Sequence, residues 1–210
     1  MLFRSDLVHF VDLILEGGAV PVVEHGVLAG EVAGLEVCRA LRDPHTGECR
    51  LEVGVGAHDR EAFLLIHGAV PTVEALRRVV AAVSEHRAPG AEPHPLNRLG
   101  AERALRARLV NEPERVGAVS LLPAEPPAPR ANLKDAVPCV ARGERAHGSR
   151  VVVVCSTGVD LDVVPWAADA RAFLDPDADL VIVVPERDAS AVTRSLAAAL
   201  RSPATVVAVR

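Results

Sequence analysis

The chain has no tyrosine, one lysine (Lys134), one methionine (Met1) and one tryptophan (Trp166). Aromatic residues make up 2% of a sequence that is 50% hydrophobic, so alanine, valine and leucine must fill its core. That scarcity leaves few of the stacking platforms on which single-stranded nucleic acids are held. Positive charge is short as well: Lys+Arg is 23 against 28 for Asp+Glu, a formal net charge of −5. Phosphate binding rests on a basic excess or stripe, so nucleic acid is not favoured as a partner. The arginines Arg103, Arg106 and Arg108 read as a solvated helix face. No apolar run reaches the roughly 18 residues of a membrane span, and no membrane partner is expected. The opening MLFRSDLVHFVDLILEGG carries an acid within its apolar stretch and reads as an amphipathic helix rather than a signal peptide. The expected location is the cytoplasm. The four cysteines, Cys38, Cys49, Cys139 and Cys155, form no C-x-x-C pair, which argues against a zinc knuckle or a thioredoxin-like motif. In that compartment they are expected to be reduced thiols, three of them packed among apolar residues.

What is present is patterned as an α/β protein of 210 residues, long enough for one large or two small domains. Residues 5–16 have helical apolar spacing and end at Gly17-Gly18. AVPVVEHG reads as a short strand. Residues 27–56 read as a β-hairpin whose first arm is bent or bulged, turning at Asp43-Pro44-His45-Thr46-Gly47. Helices are expected over 59–67, 72–87 and 97–110, the last capped by Asn97. VGAVSLL is a strand. PAEPPAPR, with four prolines, reads as a linker or surface crossing over about 123–136. Beyond it, RVVVVCS and DLVIVVPERD are continuous apolar runs, as buried parallel strands require, with ATVVAV as a third. Helices from Pro165 to about Leu174 and over 189–201, with Asp188 as a cap, alternate with them. The expectation is an N-terminal α+β part (1–122) with a β-hairpin and three helices, a proline-rich linker (123–136), and a C-terminal β-α-β-α-β unit (137–210) with a small, mainly parallel sheet.

Ligands of open parallel sheets bind beyond the carboxyl ends of the strands. Two such ends are rich in functional groups: Cys155-Ser156-Thr157-Gly158-Val159-Asp160-Leu161-Asp162, followed by Asp169, and Pro185-Glu186-Arg187-Asp188. If the two strands are neighbours, Asp160, Asp162, Glu186 and Asp188 can converge, and grouped carboxylates need a cation such as Mg²⁺ or Mn²⁺. The alternative is that they are turn and cap residues in solvent. Cys155 could act as a nucleophile, but Leu161 stands where a phosphatase loop needs arginine. Gly158 alone makes neither a Walker loop nor a dinucleotide fingerprint, so no cofactor-binding motif is assigned. In the N-terminal half, Glu52, His58, Asp59, Arg60, Glu61 and His67 form a polar cluster, in which Arg60-Glu61 reads as solvated and a His/carboxylate metal site as the rival.

The segments GVDLD (158–162) and LVIVVPER (180–187), with the helix and strand after them, resemble the PD-(D/E)XK nuclease superfamily over about 50 residues. That resemblance implies a metal-dependent hydrolase with Asp160 and Glu186 as catalytic metal ligands. Pro185 precedes the acid, and Asp188 stands where the family has its lysine. The segments LEVGVGAHDREAF, HPLNRLGAERALRARL and CSTGVDLDVVPWAADAR resemble an actinobacterial protein family that implies no particular activity. With no complete catalytic motif, the first expectation is a non-catalytic binding or interaction protein. The alternative is the metal-dependent hydrolase, which leaves open whether the chain is an enzyme. A homo-oligomer is compatible with either.

Overall fold

The computed structural model describes residues 4–43, 45–67, 73–88, 90–92, 94–130 and 136–210, with the backbone alone at 4–7 and 63–67. Its contacts divide the chain into two compact units, Met1–Leu99 and Gly100–Arg210. Among the described residues, no helix is long and apolar enough to cross a membrane. Both units combine helices and sheet, so the chain is α/β.

The first unit opens with α1 (Arg4–Glu16), whose end is closed by backbone bonds from Gly17, Gly18 and Ala19 to Leu13, Leu15 and Ile14. A four-stranded antiparallel meander follows: β1 (Val20–Glu24), β2 (Val27–Val32), β3 (Leu35–Arg42) and β4 (Cys49–Val53), in that spatial order. The expected bulge is present, between Gly30 and Glu31. However, the single bent arm is in fact two strands. At His25-Gly26 and Ala33-Gly34 both residues have positive φ (50° and 74°, 44° and 78°), which gives the two-residue turn whose twist matches paired strands. Ala-Gly lacks the side-chain chemistry that normally advertises such a turn. Gly30 is required by close approach: a Cβ there would lie 2.6 Å from Cys38 Sγ and 2.9 Å from Ile14 Cγ2. Helices α2 (Gly56–His67) and α3 (Val73–Arg87) and a short 3-10 turn (Pro95–Arg98) complete the unit.

The second unit begins with α4 (Ala101–Asn111). Its N-cap is Gly100 in the left-handed region (φ 59°), whereas Asn97, the expected cap, sits within the 3-10 turn. A five-stranded mixed sheet follows in sequential order: β5 (Ser120–Ala124), β6 (Cys139–Glu144), β7 (Arg150–Cys155), β8 (Asp179–Pro185) and β9 (Thr205–Val209). The first two pairings are antiparallel, and β7-β8 and β8-β9 are parallel. Helices α5 (Val163–Leu174) and α6 (Ala191–Ala199) make the two parallel crossovers. Alternate strand residues serve opposite faces. Val152, Val154, Leu180, Ile182 and Val184 pack with Ala167, Ala170 and Ala197 of α5 and α6. Val151, Val153, Val181 and Val183 pack with Leu105 and Leu109 of α4. Small side chains on those helices let them sit close to a valine-rich sheet, which is how a core nearly without aromatics closes.

The expected linker (123–136) lies inside this unit rather than beside it, with β5 and β6 at its ends; residues 131–135, Lys134 included, lie outside those described. Pro123 belongs to β5, an edge strand, where a missing N–H is tolerated. Ser190 caps α6 by accepting from Val192 N (3.1 Å) and Thr193 N (3.3 Å); Asp188, the expected cap, is engaged elsewhere.

Candidate functional site at the strand ends

The parallel pairing of β7 and β8 brings their two functional ends side by side, as the sequence anticipates. A backbone bond from Ser156 N to Val183 O (3.0 Å) continues the contact past the last ladder pair. Gly158 N then donates to Asp188 Oδ2 at 2.8 Å, tying the loop after β7 to the turn after β8. Gly158 has φ 79° with open space around its Cβ position, so the loop reverses there into solvent.

The four predicted carboxylates do not converge on a common partner. Asp160 Oδ1 accepts from Asp162 N (2.9 Å), a local turn that starts α5. Asp162 is the N-cap residue, and its side chain makes no capping bond. Both Glu186 oxygens lie 3.2 Å from Arg210 Nε at the end of β9. Asp188 holds Gly158, with Arg187 Nε 3.7 Å from its other oxygen. Among the described residues, no three His, Cys, Asp or Glu side chains are grouped so as to hold a metal ion. As arranged, the strand-end set does not fit the cation that the nuclease resemblance implies, and Asp169 is an exposed residue of α5. Between the acids, Val159 (67% exposed) and Leu161 (45%) face solvent on the same loop.

Beneath this rim is a buried polar layer that sequence reasoning did not assemble. The Thr157 hydroxyl donates to Glu102 Oε1, reaching back to the first turn of α4. Cys139 Sγ donates to the Glu102 carbonyl at 3.1 Å. Cys139 and Cys155 are direct partners across the β6-β7 ladder and share one core cluster. Hydrogen bonding to Cys139, and then burial, push the Cys155 thiol far above its ordinary range. Arg106, expected on a solvated face, is buried, and its guanidinium reaches toward Val140 O at 3.5 Å. The one available signal was the i, i+4 spacing of Glu102 and Arg106, which puts acid and base on one helix face.

The first unit contains a buried polar group of its own. Glu36 accepts from Arg39 Nε (2.8 Å) and Nη2 (2.7 Å) and from Arg60 Nη1 (3.0 Å). That bonding to Glu36 is the main reason the Arg39 guanidinium is held above its ordinary value. Glu52 pairs with Arg50 (2.8 Å) and lies 3.6 Å from Arg60 Nε. Arg60, read as solvated from sequence, is therefore the buried centre of two carboxylates. His58 and Glu61 are exposed and 3.9 Å apart, Asp59 is exposed, and the His67 side chain lies outside the described residues. Compared with known proteins, the chain matches no family model, no curated protein and no solved structure.

Proposed function

We propose that the chain is a non-catalytic binding protein whose docking element is loop 156–162 at the carboxyl end of β7, and that its partner is a basic, partly apolar protein segment. One observation carries this reading: Val159 and Leu161 are solvent-exposed and alternate with Asp160 and Asp162 on a loop braced at its start by two successive residues. Thr157 anchors it to buried Glu102, and Gly158 anchors it to Asp188. Bracing limits the ordering entropy that a flexible loop would lose on binding. The neighbouring charges favour a cationic partner, since four carboxylates are set against Arg187 and Arg210.

The test is a titration of the full chain with synthetic peptides in which arginine or lysine alternates with leucine, followed by backbone amide shifts. Saturable binding that perturbs residues 157–162 and weakens with salt supports the reading. Burial of a valine or leucine is worth about 1.5–3 kcal/mol, so Val159→Ser and Leu161→Ser should each weaken binding by about one to two orders of magnitude. Failure of every peptide to bind, or binding indifferent to both substitutions, overturns it. The rival metal-dependent hydrolase, with Asp160 and Glu186 catalytic, has support in the joining of the two strand ends by Gly158 and Asp188. It requires Glu186 to leave Arg210 and the acids to turn inward. Thermal unfolding with Mg²⁺ or Mn²⁺ separates the two, because a stabilisation abolished by Asp160→Ala favours the hydrolase.

A further inference from the structure

A second chemistry is built into the hairpin below that loop. Cys139 is the first residue of β6 and Cys155 the last of β7, and they are register partners. Directly opposed residues of an antiparallel pair have Cα atoms about 4.5 or 5.5 Å apart, both within the range that a disulfide spans. Both side chains lie on the α4 face, in one cluster, and their thiols are hydrogen-bonded. The remaining cysteines have no such relation: Cys38 is opposite Val53, and Cys49 is opposite Arg42.

We propose that Cys139 and Cys155 are a reversible dithiol–disulfide pair, oxidised in the folded chain by a small-molecule disulfide. Cys139, the less buried of the two, attacks the small disulfide as its thiolate, and one small thiol leaves with the proton. The Cys155 sulfur then attacks Cys139 in the mixed disulfide and expels the second small thiol with the second proton. The protein loses two electrons and two hydrogens, and the small disulfide gains them. Both thiols are buried, so the reaction runs through fraying of the ladder's open end, where the pair sits, rather than through global unfolding. Closing the bond removes the proton that Cys139 donates to the Glu102 carbonyl. Glu102 is also the anchor of Thr157, two residues beyond Cys155, so the oxidised state alters the brace of the loop above.

The full chain is equilibrated in native buffer across ratios of reduced to oxidised glutathione, acid-quenched, and its free thiols are titrated in denaturant. The expected result is a fall from four free thiols to two, with a 139–155 cross-link in the peptide map and no retained glutathione. The Cys38→Ser/Cys49→Ser variant should fall from two to none. Cys155→Ser should instead stop at a glutathione adduct on Cys139. The proposal is overturned if the native chain keeps four thiols at every ratio. It is equally overturned if the bond forms only once denaturant is present, or if a stable glutathione adduct accumulates in place of the cross-link.

Discussion

Replacing Glu36 with leucine tests whether the buried charges of the first unit hold it together or merely occupy it. The side chain of Glu36 is 1% exposed and serves two guanidinium groups. They differ in what they can do without it. The side chain of Arg39 is 34% exposed and can turn its head into water, while that of Arg60 is 10% exposed and cannot. The cost of Glu36→Leu therefore falls on Arg60, left with only Glu52 at 3.6 Å, and an orphaned buried charge costs about 3–5 kcal/mol. Arg60→Met is milder. Glu36 keeps the fork of Arg39 and Glu52 keeps Arg50, so the loss is one charge-assisted bond, about 1.5–3 kcal/mol. The double variant removes the orphan and should be more stable than Glu36→Leu alone, a coupling of about 1–3 kcal/mol. Trp166 lies in α5 of the second unit, so a probe within the first unit is used. Urea unfolding is followed by hydrogen exchange at the β3 and β4 amides of Cys38, Leu51 and Val53. If Arg60→Met costs as much as Glu36→Leu, or the two losses simply add, Arg60 is not held by Glu36 in the way its geometry implies.

Substitutions at three other positions probe other parts of the fold. A Cβ on Gly143 would sit 1.8 Å from the Ser120 carbonyl oxygen, so Gly143→Ala should split β5 from β6 and cost at least about 3 kcal/mol, read by Trp166 fluorescence in urea. Ser190→Ala removes the acceptor for two amides of α6 and should cost about 1 kcal/mol by the same assay, whereas Ser190→Asp should be near neutral. Burial pushes the Cys38 thiol from 9.0 up to about 12, which keeps it neutral and unreactive in the folded chain. Because the folded value is the higher one, its contribution is complete below pH 9 and is lost as pH rises toward 12, about 4 kcal/mol over that span. Cys38→Ala should flatten that alkaline loss in hydrogen exchange of β3, and an unchanged slope would show that another group carries it.

The parts of the fold legible in the sequence are those in which a single element declares its own burial. RVVVVC and DLVIVV have apolar residues on both faces, and in the structure both faces are covered, by α4 on one side and by α5 and α6 on the other. Helix α3 declares itself by period. Strand β6 does not: CVARGE has only a short apolar start, and it is a strand because β5 and β7 supply hydrogen bonds on both sides. Such pairing is a property of the neighbours and leaves no mark within the segment. The same holds for Ala33-Gly34, where the tightness of β2 on β3 rather than turn chemistry forces the left-handed pair.

At the strand ends, the acids were visible because they lie within a few residues of two obvious strands. What surrounds them was not, since Arg210, which meets Glu186, and Glu102 and Cys139, which lie beneath the loop, come from other elements, the last two far back in the chain. The Thr157–Glu102 bond spans 55 residues and the Cys139–Glu102 bond 37. That separation reorders the functional argument. Taken alone, Asp160, Asp162, Glu186 and Asp188 suggest a shared cation, because unpaired carboxylates repel. In the structure Arg210 meets Glu186, and the amides of Gly158 and Asp162 bond Asp188 and Asp160, so the acids are engaged separately instead of converging on one ion. What the loop leaves exposed is apolar, Val159 and Leu161, and beneath it two buried thiols stand opposed across the β6-β7 ladder. The docking loop and the dithiol pair proposed above rest on those four residues more directly than a metal centre rests on the separated acids.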